Sequence, residues 1–434
     1  MTTKRANSFI LTWQNSTRRK PVVMKFFPRR TFYLWTLVIV FLLVIVYLCT
    51  APQKAWQFNF ARKSNEVLNG GNFAQHENSS IQRRNLKFYI AFQYWEELTQ
   101  ATNNLIALTA LARYSGHQVV VPFVIDSQFF GHKMRSNETL ALYYNLSAFN
   151  NTLRSHGYST LVSWETFQSV CRDKLDLLIQ FSYGEEASRR QQTTEIQGFQ
   201  SKLGFNISKT VRVDSGMLRS VESFLDKVVK GSKCVGIREW RGNKDLPYRA
   251  FFPLPMGIHS SLSASNVAFF NAKLLEIVDD FINKTLGSNY ISLHFRTGRI
   301  LKRSNGNFTT LVNCIKKQAS LIKNIRARHP NYNKLFVAGD FSAFGSRSKW
   351  VVETRRKASL LLKHLNQPFD DMVFLQPHFY DIKDKGAVAI VETVLLVSGK
   401  QLFLTGGGSF EYSMRAQFMK RNPSSYDKVH EVCM

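Results

Sequence analysis

The second half of the chain alternates between helical and strand patterns, and this alternation constrains the fold more than any other feature. Residues 265–287 repeat apolar positions at helical spacing, and the strand pattern NYISLHF follows directly. Two further strand patterns, KLFVAGD and KQLFLTG, are each separated from the preceding strand by long helical stretches. Strands joined through helices run parallel, so residues 263–434 are predicted to form a doubly wound α/β domain.

The first half begins with the same kind of unit. LKFYIAFQY reads as a strand, TNNLIALTALARYSG as a helix that ends at Gly116, and HQVVVPFV as a second strand. This βαβ pattern predicts another parallel sheet within residues 86–262. The predicted fold class is therefore α/β, with two doubly wound domains in tandem and a cleft between them.

The N-terminus predicts a membrane anchor. Residues 1–31 form a basic tail, with eight Lys or Arg and no acidic residue up to Arg30. Residues 32–50 are apolar and uncharged over a length that can cross a bilayer, and residues 51–85 have the polar composition of a stem. A basic flank before the span predicts a single-pass type II protein of the Golgi or ER membrane, with its main part lumenal. The alternative is a cleaved signal peptide, whose apolar region is normally about 7–15 residues.

The charge of the chain limits its partners. Its formal net charge is +28 at pH 7, a balance that usually points to nucleic acid, an anionic membrane or an anionic substrate. A lumenal position excludes nucleic acid. The remaining explanations are an anionic substrate, anionic glycans or general solubility.

Sequons and cysteines support a lumenal position. Seven Asn-x-Ser/Thr sequons follow the predicted span, at Asn78, Asn137, Asn145, Asn150, Asn206, Asn283 and Asn307. Four cysteines follow it too, and an even number in an oxidising compartment predicts two disulfides with three possible connectivities. Cys171–Cys234 and Cys314–Cys433 are favoured because each pair stays within one predicted domain. The cysteines show no zinc-binding spacing, and no metal is expected.

Two strand ends carry groups suited to an anion. Arg296 leaves the strand NYISLHF on the same side as His294, and its guanidinium is a planar fork that can grip a diphosphate. The glycines Gly406 to Gly408 separate another strand from a helix, so that backbone N–H groups could approach an anion. Ser409 could cap that helix or donate to a phosphate. The alternatives are a hydrogen-bonded core histidine, a surface ion pair for Arg296 and a plain capped turn.

A third strand end carries a carboxylate. Asp340 follows KLFVAG directly and could accept two hydrogen bonds from a guanine edge. Helix capping or turn formation is the commoner role of Asp at such a position.

Taken in order, these motifs resemble the fucosyltransferase superfamily that includes the protein O-fucosyltransferases and the α1,2- and α1,6-fucosyltransferases. HFRTG resembles the His-x-Arg motif of that family, and VAGD resembles its segment ending in a nucleotide-contacting aspartate. GAVAIVETVLLVSGKQLFLTGGGSF is similar to its last helix, strand and Ser-Phe turn, and residues 86–125 resemble its first βαβ unit. The resemblance covers roughly residues 86–125 and 264–420.

The resemblance implies a GT-B fold of two Rossmann-like domains and an inverting transfer of fucose from GDP-fucose without a metal ion. No cofactor is expected besides this donor substrate, and the acceptor would be a hydroxyl of a protein or glycan. Arg296 would bind the diphosphate and stabilise the leaving group. The implied donor-binding residues are His294, Arg296, Asp340, Gly408, Ser409 and Phe410.

The catalytic base is less defined by the sequence. Glu96 and Glu97, in the first strand–helix loop, are the candidates, and Glu239 and Asp245 are the runners-up. The chain also departs from the family: its first loop has no glycine before Asn103, and Thr-Gly-Arg follows Arg296 where the family has a second arginine and an aspartate. The alternative function is a non-catalytic lumenal module that binds glycans or a partner.

Overall fold

The computed structural model describes residues 86–94, 96–133, 136–182, 204–214, 224–240, 262–340, 371–423 and 426–433. The predicted tail, membrane span and stem, together with Asn78 and Asp245, lie outside the described residues. Within the described residues, no helix is both long enough and apolar enough to cross a membrane. The anchor therefore stays a prediction.

The first sheet is built from the N-terminal half. Its six strands are all parallel and lie in the order β5-β2-β1-β10-β7-β9. Their bounds are β1 Phe88–Ala91, β2 Gln118–Val120, β5 Leu161–Val162, β7 Leu177–Ser182, β9 Thr210–Asp214 and β10 Cys234–Ile237. A hairpin of β3 (Phe123–Ile125) and β4 (Gln128–Phe130) and a short parallel pair, β6 (Lys174–Leu175) with β8 (Asn206–Ile207), accompany this sheet.

The second sheet is built from the C-terminal half. Its five parallel strands are β11 Tyr290–Phe295, β12 Lys334–Gly339, β13 Met372–Val373, β14 Gln401–Thr405 and β15 Val429–Val432. They lie in the order β13-β12-β11-β14-β15, which is the 3-2-1-4-5 order of a doubly wound sheet. The strand order reverses between β11 and β14, where such sheets bind ligands. The predicted parallel sheets are confirmed, and the predicted domain boundary near residue 262 stays a prediction.

The longest helices fall in the predicted helical stretches, but the first begins at Leu98, four residues before the pattern TNNLIALTALARYSG, and three shorter helices were not predicted. Their bounds are α1 Leu98–Ser115, α2 Leu146–Ser155, α3 Trp164–Cys171, α4 Ala272–Phe281, α5 Thr297–Arg303, α6 Phe308–Arg328, α7 Lys385–Ser398 and α8 Ser409–Arg421. Gly116 ends α1 in the left-handed conformation, as predicted. Helix α4 begins seven residues later than its apolar pattern suggested, because the Asn271 side chain accepts a hydrogen bond from the Lys273 N–H and caps it there.

Short helical segments complete the description. Single turns of 3-10 helix span Leu140–Leu142, Pro377–Tyr380 and Tyr426–Lys428, and π-helical turns span Leu225–Val229 and Ile282–Leu286. The π-helical turn at Ile282 continues α4 to Gly287, so the predicted C-terminal end of this helical stretch is confirmed.

Both predicted disulfides are present. Cys171–Cys234 joins the end of α3 to β10, and Cys314–Cys433 joins α6 to the segment after β15. Of the sequon asparagines within the described residues, Asn150 is half-buried, and its side-chain amide is hydrogen-bonded to the backbone of Leu161. Asn137, Asn145, Asn206, Asn283 and Asn307 are exposed. Glycosylation stays a prediction.

A hydrogen-bonded junction joins the two halves at the start of α7. The Asp384 carboxylate caps α7 by accepting from the Ala387 N–H at 2.9 Å, and it also accepts from the Tyr143 hydroxyl and the Asp126 N–H, both at 2.6 Å. Burial and the neighbouring Asp384 carboxylate raise the pKa of Tyr143, so its hydroxyl stays protonated and can donate. Gly386 lies directly against the Tyr143 ring, where a side chain would clash. The junction therefore links Asp126 and Tyr143 of the N-terminal half to the start of α7 in the C-terminal half.

Candidate functional site

The three strand ends singled out in the sequence emerge side by side. Phe295, the last residue of β11, is in register with Gly339 of β12 and Thr405 of β14. Because these strands are parallel, the residues that follow them lie at one edge of the sheet. Arg296 and the glycine turn flank the point where the strand order reverses, so the structure places them at the position expected for a ligand.

Arg296 and Arg299 both lie against the glycine turn. The Arg296 N–H donates to the Thr405 carbonyl at 3.1 Å, which holds the start of α5 beside the end of β14. A Cβ added at Gly408 would lie 2.7 Å from Nη1 of Arg296 and 3.2 Å from Nη1 of Arg299. Neither guanidinium forms an ion pair with any residue that the structure describes. Two positive charges without an ion-pair partner in the described part of the chain therefore converge on one glycine.

The N-terminus of α8 opens toward this pair of charges. Gly408, not Ser409, is the N-cap, and it has no side chain with which to cap the helix. Ser409 is the first helical residue and is exposed. It therefore does not cap the helix, which was one of the two roles that the sequence suggested for it. The N–H groups of the first turn are consequently available to an anion, and the helix dipole adds positive potential there.

His294 is held by a buried carboxylate. Its Nδ1 lies 3.1 Å from Oε1 of Glu411, and its ring packs edge-to-face on Phe410 with centroids 5.3 Å apart. His294 is 5% exposed and Glu411 is fully buried, with no hydrogen-bond partner for Oε2 among the described residues. His294 is thus a hydrogen-bonded core histidine, which was the alternative to a binding role. Its contact with a donor substrate stays a prediction.

Asp340 caps the helix that carries Arg299. Its two carboxylate oxygens accept from the N–H groups of Thr297 and Gly298, at 2.8 and 2.7 Å. These are the first two residues of α5, so the capping role considered for Asp340 is present in the structure. A guanine contact by the same carboxylate stays a prediction.

The candidate bases lie in the N-terminal half of the chain. Glu96 and Glu97 are exposed and directly precede α1, where Glu97 is the N-cap residue. The next residues of α1, Leu98 and Thr99, line a small cavity of about 10 Å³ together with Phe410 of α8. The first strand–helix loop therefore lies beside the N-terminus of α8. Glu239, the runner-up that the structure describes, follows β10 and is half-buried.

Sequence reasoning undervalued Arg299 and missed Glu411. Sequence patterns do not distinguish Arg299 from the many other charged residues of the chain, yet its guanidinium lies beside that of Arg296 at Gly408. The sequence feature that could have indicated a role for Arg299 is its position one helical turn after Arg296. Glu411 was hidden because an acidic residue in the first turn of a helix is common, and only the fold shows that it is buried against His294.

The described residues contain no group of three or more His, Cys, Asp or Glu side chains that could hold a metal ion. Metal independence, which the resemblance implied, stays a prediction. The anion-binding groups of the candidate site are cationic side chains and backbone N–H groups.

Together the two parallel sheets, their flanking helices and the site at the strand ends define a mixed α/β fold with a predicted nucleotide-binding edge. Among solved structures, the chain is similar to the apo form of POFUT1, with a TM-score of 0.50 and 9% identity over 81% of this chain and 99% of that chain. It is also similar to POFUT1 in complex with GDP-fucose, with a TM-score of 0.49 and 10% identity over 80% and 98% of the two chains.

A further similar structure is the fucosyltransferase NodZ from Bradyrhizobium, with a TM-score of 0.37 and 10% identity over 76% of this chain and 93% of that chain. No protein-family model matches the sequence, and neither does any curated protein. The similarity to apo POFUT1 supports a shared fold, as the sequence motifs had implied.

Proposed function

We propose that the protein is a glycosyltransferase that moves fucose from GDP-fucose to a hydroxyl of a protein or glycan in the secretory pathway. The observation that carries this proposal is the convergence of the Arg296 and Arg299 guanidinium groups on Gly408, at the uncapped N-terminus of α8. A diphosphate fits this arrangement because its negative oxygens can be met by two guanidinium forks and by backbone N–H groups at once.

The same groups can assist the chemistry. The bond between the fucose anomeric carbon and the β-phosphate oxygen breaks, and its electron pair leaves with GDP. Positive groups fixed around that oxygen stabilise the charge that develops on it in the transition state. A metal ion is unnecessary for this purpose where cationic side chains already surround the diphosphate.

The acceptor oxygen forms the new bond to the anomeric carbon on the face opposite to GDP, which inverts the configuration. Its proton passes to a base, for which Glu96 or Glu97 is proposed because both precede α1, on the domain that faces α8. The reaction would take place in the lumen of the Golgi or ER, on a protein anchored by residues 32–50.

The test compares conservative arginine variants of the full chain, purified in detergent. Lysine keeps the positive charge but cannot copy the planar fork. Arg296→Lys and Arg299→Lys should each lower GDP release from GDP-fucose by at least about tenfold, since a charge-assisted hydrogen bond contributes about 1.5–3 kcal/mol. Arg303→Lys is the matched control, because Arg303 is an exposed arginine at the other end of α5 and should change nothing.

Two outcomes would contradict the proposal. Near-normal turnover in Arg296→Lys would remove that residue from the site. Glycan binding by the wild-type protein, with no GDP binding at all, would favour the alternative of a non-catalytic lumenal module.

A further inference from the structure

The segment that contains α5 and α6 has a one-sided charge. No Asp or Glu occurs between Asp280 and Asp340. Within this interval, the stretch from Thr297 to His329 carries eight Lys or Arg residues. Such a stretch is unusual for a surface helix pair, because charges of both signs are normally mixed on helix surfaces.

Seven of these cations are exposed and form what we call the basic face: Arg299, Lys302, Arg303, Lys316, Lys317, Lys323 and Arg328. None of the seven forms an ion pair with a residue that the structure describes. The eighth cation, Arg326, is turned away and pairs with Asp371 at 2.7 Å. The positive charge of the basic face is therefore not neutralised from within the described part of the protein.

The basic face is long and firmly supported. Helix α6 has 21 residues, and its exposed cations lie between Lys316 and Arg328, over about 18 Å of the helix. Its buried side rests on the C-terminal sheet through Leu311, Ile315 and Ile322, and the Cys314–Cys433 disulfide ties it to the segment after β15. A single small anion could neutralise only one end of such a surface. A polymer that carries repeated negative charges could contact all of it.

The residues between the cations are polar. The exposed neighbours on α6 include Thr310, Asn313, Ser320 and Asn324, and none of the exposed large apolar side chains of the described residues lies between Thr297 and His329. Insertion into a bilayer requires an apolar face beside the cations, and binding of single-stranded nucleic acid uses aromatic side chains for stacking. The basic face offers neither.

We propose that the basic face binds a soluble anionic polysaccharide that carries sulfate or carboxylate groups. Exposed lysines and arginines attract such groups over the screening distance of the medium without requiring one fixed geometry. The face begins at Arg299, which also lies at the candidate diphosphate site, and it extends away from that site along α6. The proposal does not depend on fucosyl transfer, because binding can be measured without turnover.

The first experiment is lysine footprinting of the full chain in detergent, with heparin as the sulfated probe and neutral dextran as its control. Acylation by an N-hydroxysuccinimide ester is measured by mass spectrometry at each lysine. Heparin should lower acylation of Lys316, Lys317 and Lys323 at least about threefold at low salt, with the protection fading as salt rises. Lys273, Lys400 and Lys420, which are also exposed but lie outside the face, should react as before.

Excess GDP and phosphatidylserine vesicles test what protects the lysines from acylation. Excess GDP should leave the protection of Lys316, Lys317 and Lys323 unchanged; its loss would mean that heparin binds at the diphosphate site and would overturn the proposal. Protection by phosphatidylserine vesicles but not by heparin would also overturn it, in favour of a membrane surface. Equal protection of all exposed lysines would show non-specific attraction only.

Charge reversal provides the second measurement. The triple variant K316E, K317E and K323E should weaken heparin binding at least about tenfold, because three attractions become repulsions. The matched variant K273E, K400E and K420E changes the net charge by the same amount, so it should weaken binding much less. Equal weakening in both variants would refute a localised face. GDP affinity should remain at the wild-type value in both.

Discussion

Gly408→Ala is the sharpest test of the candidate diphosphate site. The new Cβ would lie 2.7 Å from Nη1 of Arg296 and 3.2 Å from Nη1 of Arg299, well inside the optimal carbon contact distance of about 3.5–4.0 Å. The guanidinium groups must therefore shift away from the N-terminus of α8. Loss of one charge-assisted hydrogen bond, worth about 1.5–3 kcal/mol, should lower the affinity for GDP roughly 10- to 100-fold.

Gly287→Ala is a matched control for the backbone. Gly408 has φ 139° and ψ 174°, and Gly287 has φ 73° and ψ −174°. Both conformations lie in a region that is nearly restricted to glycine, so an alanine at either position should destabilise the fold by about 1–3 kcal/mol. A Cβ at Gly287 would meet no atom within 4 Å, and this residue precedes β11, at the end opposite to Arg296.

The assays are isothermal titration with GDP and urea unfolding followed by circular dichroism. Both variants should lose similar stability, and only Gly408→Ala should lose GDP affinity. The reasoning would be refuted if Gly408→Ala bound GDP like the wild type, or if Gly287→Ala lost as much affinity.

Three further predictions concern stability and the third strand end, which carries Asp340. Asp340→Ala should weaken GDP and pyrophosphate equally, by several-fold in titrations, if the residue acts by holding α5 and Arg299; weaker GDP binding alone would instead support a guanine contact. Gly386→Ala should lower the free energy of unfolding by about 1–3 kcal/mol, because its Cβ would clash with the Tyr143 hydroxyl; unchanged urea unfolding would contradict this. Burial raises the pKa of the half-buried Glu392 from its usual value of 4.5 to about 8. Between these two pH values the folded protein keeps a proton on Glu392 that the unfolded chain has lost. The free energy of unfolding should therefore decline as the pH rises from 4.5 to about 8, by at most about 1.4 kcal/mol per pH unit, and Glu392→Gln should remove that decline.

The parts of the fold that could be predicted are those encoded by local patterns. Apolar periodicity and turn residues identify strands such as β11 and the helix end at Gly116, because the periods of strand and helix differ and glycine readily adopts the left-handed conformation. The two disulfides could be predicted because each pair lies within one α/β unit. The start of α4 could not, since apolar spacing continues before Asn271 while the cap that begins the helix depends on a single side-chain hydrogen bond.

The candidate site was predictable in outline but not in its contacts. Parallel strands bring their carboxyl ends together, so Arg296, Asp340 and Gly408 could be assigned to one edge from their order in the chain. Their partners depend on tertiary packing. The pairing of His294 with Glu411, 117 residues later, leaves no pattern in either segment, because each residue is also common in roles that need no such partner.

Tertiary contacts explain why Thr-Gly-Arg follows Arg296 in this chain, where the family pattern has a second arginine. A second arginine directly after Arg296 would lie in the first turn of α5. In this chain Thr297 and Gly298 occupy that turn, and their N–H groups donate to Asp340. A Cβ on Gly298 would lie 3.0 Å from Oδ2 of Asp340, so the missing side chain lets that carboxylate approach closely. With the helix start fixed in this way, Arg299 follows on the same turn, and its guanidinium reaches Gly408 beside that of Arg296. This sequence therefore places a pair of guanidinium groups at the glycine turn, which is why the donor site is proposed to function with it.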